Sequence, residues 1–409
     1  MLLWYRFKNF YSFKDEVEVD LRLKKNSSET DYDVVFNGEK VTKVLAVMGA
    51  NGSGKSNLLK PLAFLHWFSR FSFKDLEPKE KLPLFPHALN KKGASEIEVC
   101  FTYLNEESQI FYTKYLCKFT RDRVVHEEVK YKHSKSRQYS TAFSRSIDQN
   151  GEQKIKVNKL SFDEHEMFTI KEIETVPSNA SIISYYHRKD NEMANFLVGL
   201  LAFASNLSVY GKHQFSYSDV LAITENYSNE KEVFKKAVDI MKKMDFGLSD
   251  IKLKKEKFID SDSGEEYERT VPIGIHNNNG KEFKLPFIME SAGTQACYTH
   301  LFNLLVSLEN GGVAVIDELD SDLHPLMVSE ILSMFENEQI NTSNAQLIFS
   351  CHTPEVLKHL KKHNVYLVEK DSCESTAWRM DDIQGLRSQD NLYNKYITGA
   401  LGGVPDICL

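Results

Sequence analysis

The chain has 409 residues, a formal net charge of −7 and a sequence pI near 6.0. Hydrophobic residues make up 42%, which is ample to bury a core in two or three domains. The acidic balance excludes binding of nucleic acid by bulk charge, while a local basic groove stays open. No run of ~18 or more apolar residues occurs, so no membrane partner is expected. Met1-Leu2-Leu3-Trp4-Tyr5-Arg6-Phe7 lacks signal-peptide anatomy. The six cysteines (Cys100, Cys117, Cys297, Cys351, Cys373 and Cys408) form no C-x-x-C pair and show no zinc spacing. Reduced, buried thiols in a cytoplasmic protein are expected.

Residues 2–22 alternate in two short stretches around Asn9-Phe10-Tyr11-Ser12-Phe13 and predict a hairpin. Residues 24–33 are polar and predict a loop. The apolar run Val44-Leu45-Ala46-Val47-Met48 then leads into Gly49-Ala50-Asn51-Gly52-Ser53-Gly54-Lys55-Ser56, a G-x-x-x-x-G-K-S pattern. Asn57 to Leu65 continues as a helix, to about residue 72. Strand, glycine loop and helix together are the context of a phosphate-binding loop. The glycines turn backbone N–H groups inward, and the helix N-terminus adds partial positive charge. Asn51, Gly52, Gly54, Lys55, Ser56 and Asn57 are therefore assigned to the nucleotide. Lys55 would reach the β- and γ-phosphates, and Ser56 would sit on Mg²⁺.

Residues 73–94 carry three prolines and predict a connection. Ser95 to Leu104 alternates strictly, Gln109 to Phe119 and Val124 to Tyr131 continue in that style, and about residues 95–170 predict an antiparallel sheet built onto the nucleotide core. Its bases (Lys114, Lys118, Arg121, Arg123, Lys130, Lys132, Lys135, Arg137 and Arg145) suit either a nucleic-acid surface or an ordinary solvated face diluted by Asp122, Glu127 and Glu128. Residues 190–245 turn helical: Met193 to Phe203 predicts a buried helix, and Glu232 to Met244 an amphipathic one that packs on its own domain. A short hairpin is expected within 251–288, with turns at Ser261-Asp262-Ser263-Gly264 and Asn277-Asn278-Asn279-Gly280. From Pro286 helix and strand alternate, which predicts the second half of a mostly parallel sheet begun by the phosphate loop. The resulting divisions are 1–94 (first half of the core), 95–188 (antiparallel insertion), 189–284 (helical insertion and hairpin) and 285–409 (second half of the core).

Three downstream motifs carry the chemistry. Val313-Ala314-Val315-Ile316-Asp317-Glu318 places two carboxylates at a strand's C-terminal end, where such sheets face ligand. Asp317 suits the Mg²⁺ shell, and Glu318 suits a general base for the attacking water. Phe349-Ser350-Cys351-His352-Thr353 ends the next strand and brings His352 beside the acidic pair. Phe287-Ile288-Met289-Glu290-Ser291-Ala292-Gly293-Thr294-Gln295 opens a helix, where Ser291, Gly293 and Gln295 could hold phosphate.

That last stretch resembles the signature loop of ABC-type ATPases, Leu-Ser-Gly-Gly-Gln, in a Glu-Ser-x-Gly-Thr variant. Phosphate loop, signature, acidic strand, the D-loop-like Ser321-Asp322-Leu323-His324-Pro325 and the His352 switch follow in the order of the ABC/SMC superfamily. Asn9-Phe10-Tyr11-Ser12-Phe13 looks like the start of its RecF, SMC and OLD relatives. A narrower resemblance is to the stand-alone RloA and AbiL-like ATPases of bacterial abortive-infection loci. It rests on Glu290-Ser291-x-Gly293-Thr294 and on Tyr396-x-x-Gly399-x-x-Gly402-Gly403-x-Pro405, although Leu401 stands where that group has an aromatic. The resemblance implies an α/β ABC-type core that binds ATP and Mg²⁺ and pairs head to tail with itself. Ser291 and Gly293 of one copy would cap ATP on Lys55 and Ser56 of the other. Heptad repeats are absent, and about 55 residues follow His352, too few for an OLD-type nuclease. The output activity is therefore expected in a separate effector, a nuclease or toxin. A RecF-like DNA clamp, and a nucleotide-bound scaffold or antitoxin, are the alternatives.

Overall fold

The computed structural model describes the chain except residues 26, 28, 37, 149, 159–167, 213–215, 260–263 and 406–409. Two sheets organise it. The first has six strands in the order Phe203–Ser205, Val313–Ile316, Gln346–Ser350, Val44–Gly49, Val365–Asp371 and Glu374–Arg379. The first five run parallel, and the last is an antiparallel hairpin partner. Parallel strands buried on both faces need continuous apolar runs, and Val44 to Met48 are all fully buried. Their alternation splits them between two cores. Leu45 and Val47 pack with Leu58, Leu59 and Leu62 of the helix Lys55–Asp75. Val44, Ala46 and Met48 pack with Leu301 and Leu304 of the helix Ala292–Asn310 and Ile331 of the helix Pro325–Glu336.

The second sheet is antiparallel, with seven strands in the order Gln153–Val157, Ser140–Ile147, Val124–His133, Ile110–Phe119, Ser95–Leu104, Leu2–Lys8 and Val17–Asp20. The opening hairpin is thus not a separate element: its first strand pairs with Ser95–Leu104 and continues the same sheet. The phosphate-loop helix lies in the core this sheet shares with the parallel one. Gln346 binds the two sheets together. Its Oε1 accepts from Leu2 N at 2.7 Å, and its Nε2 donates to Leu2 O at 2.9 Å and Thr42 O at 3.2 Å.

Two elements differ from expectation. The helix near residue 193 covers Glu192–Leu200 and stops short; Phe203 instead opens an edge strand of the parallel sheet. The apolar run Leu200 to Phe203 reads equally well as buried helix or buried strand, and pairing with Val313 decides it. The segment expected as a short hairpin is a three-stranded meander, Leu248–Ile259, Glu266–Asn278 and Lys281–Pro286. Its second turn falls at Asn279 and Gly280 as expected, both at positive φ; Ser261, Asp262 and Ser263 of the other lie outside the described residues. Cys100, Cys117, Cys297 and Cys351 are buried free thiols, but Cys373 is exposed; Cys408 lies outside the described residues. The amphipathic helix Lys231–Lys243 does bury Val233, Ala237 and Met241 against the helix Ala292–Asn310. Among the described residues no helix is long and apolar enough to cross a membrane.

Arg145, one of the bases expected on the sheet surface, is instead buried against Glu127, 2.8 Å away. Glu127 also accepts from Tyr115 OH at 2.9 Å, Ser181 Oγ at 2.7 Å and Ile182 N at 3.1 Å. It thereby ties the antiparallel sheet to the helix Ile182–His187. Removing one member of such a pair strands a buried charge and costs about 3–5 kcal/mol. Arg145→Leu is expected to lower the thermal midpoint by several degrees in calorimetry, whereas Lys154→Leu, on an exposed pair with Asp148, should leave it nearly unchanged.

Candidate functional site

Parallel strands end on one edge, and that edge gathers the motifs. Register pairs Ser350 with Val47 and Ile316 with Phe349, so Gly49, Asp317 and Cys351-His352 leave neighbouring strands at one level. The loop after Gly49 turns at Gly52 and Gly54, with φ of 74° and 115°. Lys55 begins the helix, and its ammonium lies back across the loop. Nζ donates to Gly49 O at 2.9 Å and Ala50 O at 3.0 Å. Burial pushes the Lys55 pKa down, against the opposing charges of Asp317 and Glu318. Asn51 and Gly52 stand exposed at the crest of the loop.

The acidic pair is held by neighbours that motif matching does not include. Asp317 is buried; its Oδ1 accepts from Ser350 Oγ at 2.5 Å. Ser350 Oγ in turn accepts from Glu318 N at 2.7 Å. The Asn206 amide brackets the Asp317 backbone, accepting from its N at 2.8 Å and donating to its O at 2.9 Å. Glu318 has φ of 50°, a left-handed conformation that an L side chain rarely adopts. Its Oε2 accepts from Lys212 Nζ at 2.6 Å, and this bond holds the carboxyl below its usual range, with His352 and Lys55 acting in the same direction.

His352 lies between the two centres. Nδ1 is 3.4 Å from Lys55 Nζ, and Nε2 is 3.8 Å from Glu318 Oε1. Nδ1 thus faces the Lys55 ammonium and Nε2 faces the Glu318 carboxylate. The turn is built by Asp320, whose Oδ2 accepts from His352 N, Thr353 N and Thr353 Oγ1 at 2.8, 2.8 and 2.7 Å.

The opening residues Asn9 to Phe13 hold the site from outside. Asn9 is fully buried; its Nδ2 donates to Asn90 O and Gly93 O, and its Oδ1 accepts from His87 N. That shapes the loop over residues 87–94. Ser12 Oγ accepts from Asn57 Nδ2 at 2.9 Å and from Ser375 Oγ at 2.8 Å, and Ser375 Oγ also lies 2.6 Å from Ser53 O. Tyr396 to Pro405 also come up to the loop: a cleft there is lined by Gly49, Asn51, His352, Tyr396, Gly399 and Pro405.

Ser291, Gly293 and Gln295 stand apart from this cluster. Ser291 caps the helix Ala292–Asn310, accepting from Thr294 N at 3.1 Å. The Gln295 amide donates to Glu290 O at 2.9 Å. A Cβ at Gly293 would stand 2.5 Å from Asp322 O, so this loop lies directly on the loop that follows the acidic strand. Of the basic strand residues, Lys118 pairs with Glu96 and Lys130 with Glu128, while Lys114 lies over the Trp4 and Tyr139 rings.

The donor set suits Mg²⁺. Ser56 and Asp317 offer hard oxygens, and among the described residues the second Asp317 oxygen takes no hydrogen bond. Among the described residues no three His, Cys, Asp or Glu side chains group into a metal cage.

Gly54 leaves no room for a side chain: a Cβ would stand 2.6 Å from Ser375 Oγ and 3.0 Å from Ser12 Oγ. Its left-handed φ adds about 1–3 kcal/mol of strain for any other residue. Gly54→Ala is expected to weaken binding of a fluorescent ATP analogue about tenfold or more, whereas Gly38→Ala, with nothing within 4 Å, should bind as the wild type.

No curated protein matches the chain. The family described as "AAA domain, putative AbiEii toxin, Type IV TA system" matches residues 44–358, about three quarters of the chain, from the phosphate-loop strand to beyond His352. On that match, and on the phosphate-loop α/β core it spans, the chain belongs to this family of ATPase-type domains.

Proposed function

We propose that this chain is a Mg²⁺-dependent ATPase that pairs head to tail with a second copy and controls a separate effector, a nuclease or toxin, in an abortive-infection or toxin–antitoxin system. The observation that carries the ATPase reading is the convergence of Lys55, Asp317, Glu318 and His352 on one edge of the parallel sheet. Lys55 would bind the β- and γ-phosphates. Glu318 would accept the proton of a water attacking the γ-phosphorus, as the bond to the leaving ADP oxygen breaks. The His352 Nε2–H would donate to a γ-phosphate oxygen. Mg²⁺, held by Ser56 and through Asp317, would neutralise phosphate charge.

Pairing is supported by what stands apart. Ser291 is exposed; its loop contacts its own helix, the Asp322 loop and, through Glu290, His276 of the meander. A helix N-terminus of this kind is a phosphate site, and a second copy is the partner that would bring one to Lys55. The γ-phosphate would then be the differential contact that holds the pair, and its loss would release it. The abortive-infection or toxin–antitoxin setting is supported by the family's description.

Native mass spectrometry of Glu318→Gln, expressed from its own locus with Mg²⁺ and ATP, tests this. The expected species is a dimer, or a multiple of dimers, that carries ATP and a second protein. An ATP-bound monomer would overturn the pairing, and co-purified DNA without a protein partner would favour a clamp on DNA. In steady-state assays Glu318→Gln is expected to lower turnover about 100-fold or more while retaining ATP. Lys55→Ala should lose ATP binding, and chelation of Mg²⁺ should abolish turnover.

A further inference from the structure

Besides Ser350, one stretch from the middle of the chain, residues 203–212, holds the acidic pair at the end of the strand Val313–Ile316. The strand Phe203–Ser205 runs parallel to Val313–Ile316, and Ser205 Oγ donates to Val315 O at 2.7 Å. Asn206 clasps the Asp317 backbone on both sides. The chain then folds back through the two-residue pairing of Leu207–Ser208 with Gly211–Lys212. Tyr11 OH, donating to Val209 O at 3.1 Å, holds the bend. The path ends with Lys212 Nζ 2.6 Å from Glu318 Oε2 and 3.3 Å from Ser321 Oγ.

We propose that Lys212 is a positioning residue for ATP hydrolysis, fixing the Glu318 carboxylate so that its other oxygen faces the phosphate side of the site. This rests on the ATPase reading above. Glu318 has a long, free-turning side chain on a left-handed backbone. With Oε2 tethered to Lys212, Oε1 is the oxygen turned to His352. An exposed ion pair commonly contributes little. This one differs because the ammonium also reaches Ser321 and because both partners are more than half buried, with side-chain exposures of 27% and 36%. The charges around Glu318 are Lys212, His352 and Lys55, with Asp317 and Asp320 beside it in the chain. Lys212 is the cation that touches it.

The assignment makes the inserted segment part of the catalytic centre. The helix Tyr217–Asn229 begins five residues after Lys212 and is bound to the helix Ala292–Asn310, with Thr224 Oγ1 and Tyr298 OH 3.0 Å apart and Tyr227 OH donating to Tyr298 O.

The test is steady-state ATP hydrolysis and ATP binding by the full chain with Lys55→Ala, Lys212→Met and Lys212→Arg. Lys212→Met is expected to lower kcat about tenfold or more, with KM and ATP affinity within about twofold of wild type. Lys212→Arg should restore most of the loss. Wild-type turnover in Lys212→Met, a raised kcat, a loss expressed in KM alone, or an arginine variant as poor as the methionine one would each overturn the proposal while leaving the ATPase reading intact. Absence of any Lys55-dependent turnover in the wild type would instead overturn that reading, and the proposal with it. Matching thermal midpoints establish that the variants fold; should Lys212→Met unfold early, Lys212→Gln takes its place under the same criteria.

Discussion

One hydroxyl holds the acidic end of the sheet together. Ser350 Oγ donates to the Asp317 carboxylate and accepts from the Glu318 backbone N–H, spending its hydrogen on one residue and a lone pair on the next. Ser350 can do both because it sits on the strand between the phosphate-loop strand and the acidic strand. Without that clasp a left-handed residue would follow a buried carboxylate, with neither held by a neighbour on that strand. Placement of Glu318 against His352 and Lys55 therefore depends on a group whose contribution is entirely geometric.

The sheet can serve as a fixed edge because its two faces are closed by different parts of the chain. Leu45 and Val47 face the phosphate-loop helix and the antiparallel sheet, while Ala46 and Met48 face the helices of the C-terminal third. Parallel strands need long connections, and here those connections carry the functional loops. Gln346 ties the first strand of the chain to the central strand of the parallel sheet. Motion of the antiparallel sheet is thereby tied to the strand that carries Ser350.

Much of this was legible in the sequence, and the exceptions have physical causes. The phosphate loop, the acidic strand and the His352 turn each join a continuous apolar run to a chemically distinctive end, so local pattern sufficed. Phe203 reads as helix in the sequence because a short apolar run has no period of its own; its pairing with Val313, 110 residues on, is a long-range fact. Arg145 reads as a surface base because charge alone does not report depth, and Glu127 facing it across the ladder is the available signal. Lys212, Asn206 and Ser375 belong to no motif. They hold the site by contacts made across 106, 111 and 322 residues of chain. The opening Asn9 and Ser12 belong to a stretch with a family resemblance, yet their work, shaping the 87–94 loop and tethering Asn57, is visible only in three dimensions.

The contact between Gly293 and Asp322 has a further consequence. The backbone of the same chain already fills the place a Cβ at Gly293 would take, so the Ser291 loop and the loop leaving Glu318 are in direct contact. In a head-to-tail pair, the first would touch the partner's nucleotide and the second would lead to the chain's own. Each copy would carry news of one nucleotide to the other, so the two sites would share a single cooperative clock rather than keep independent time.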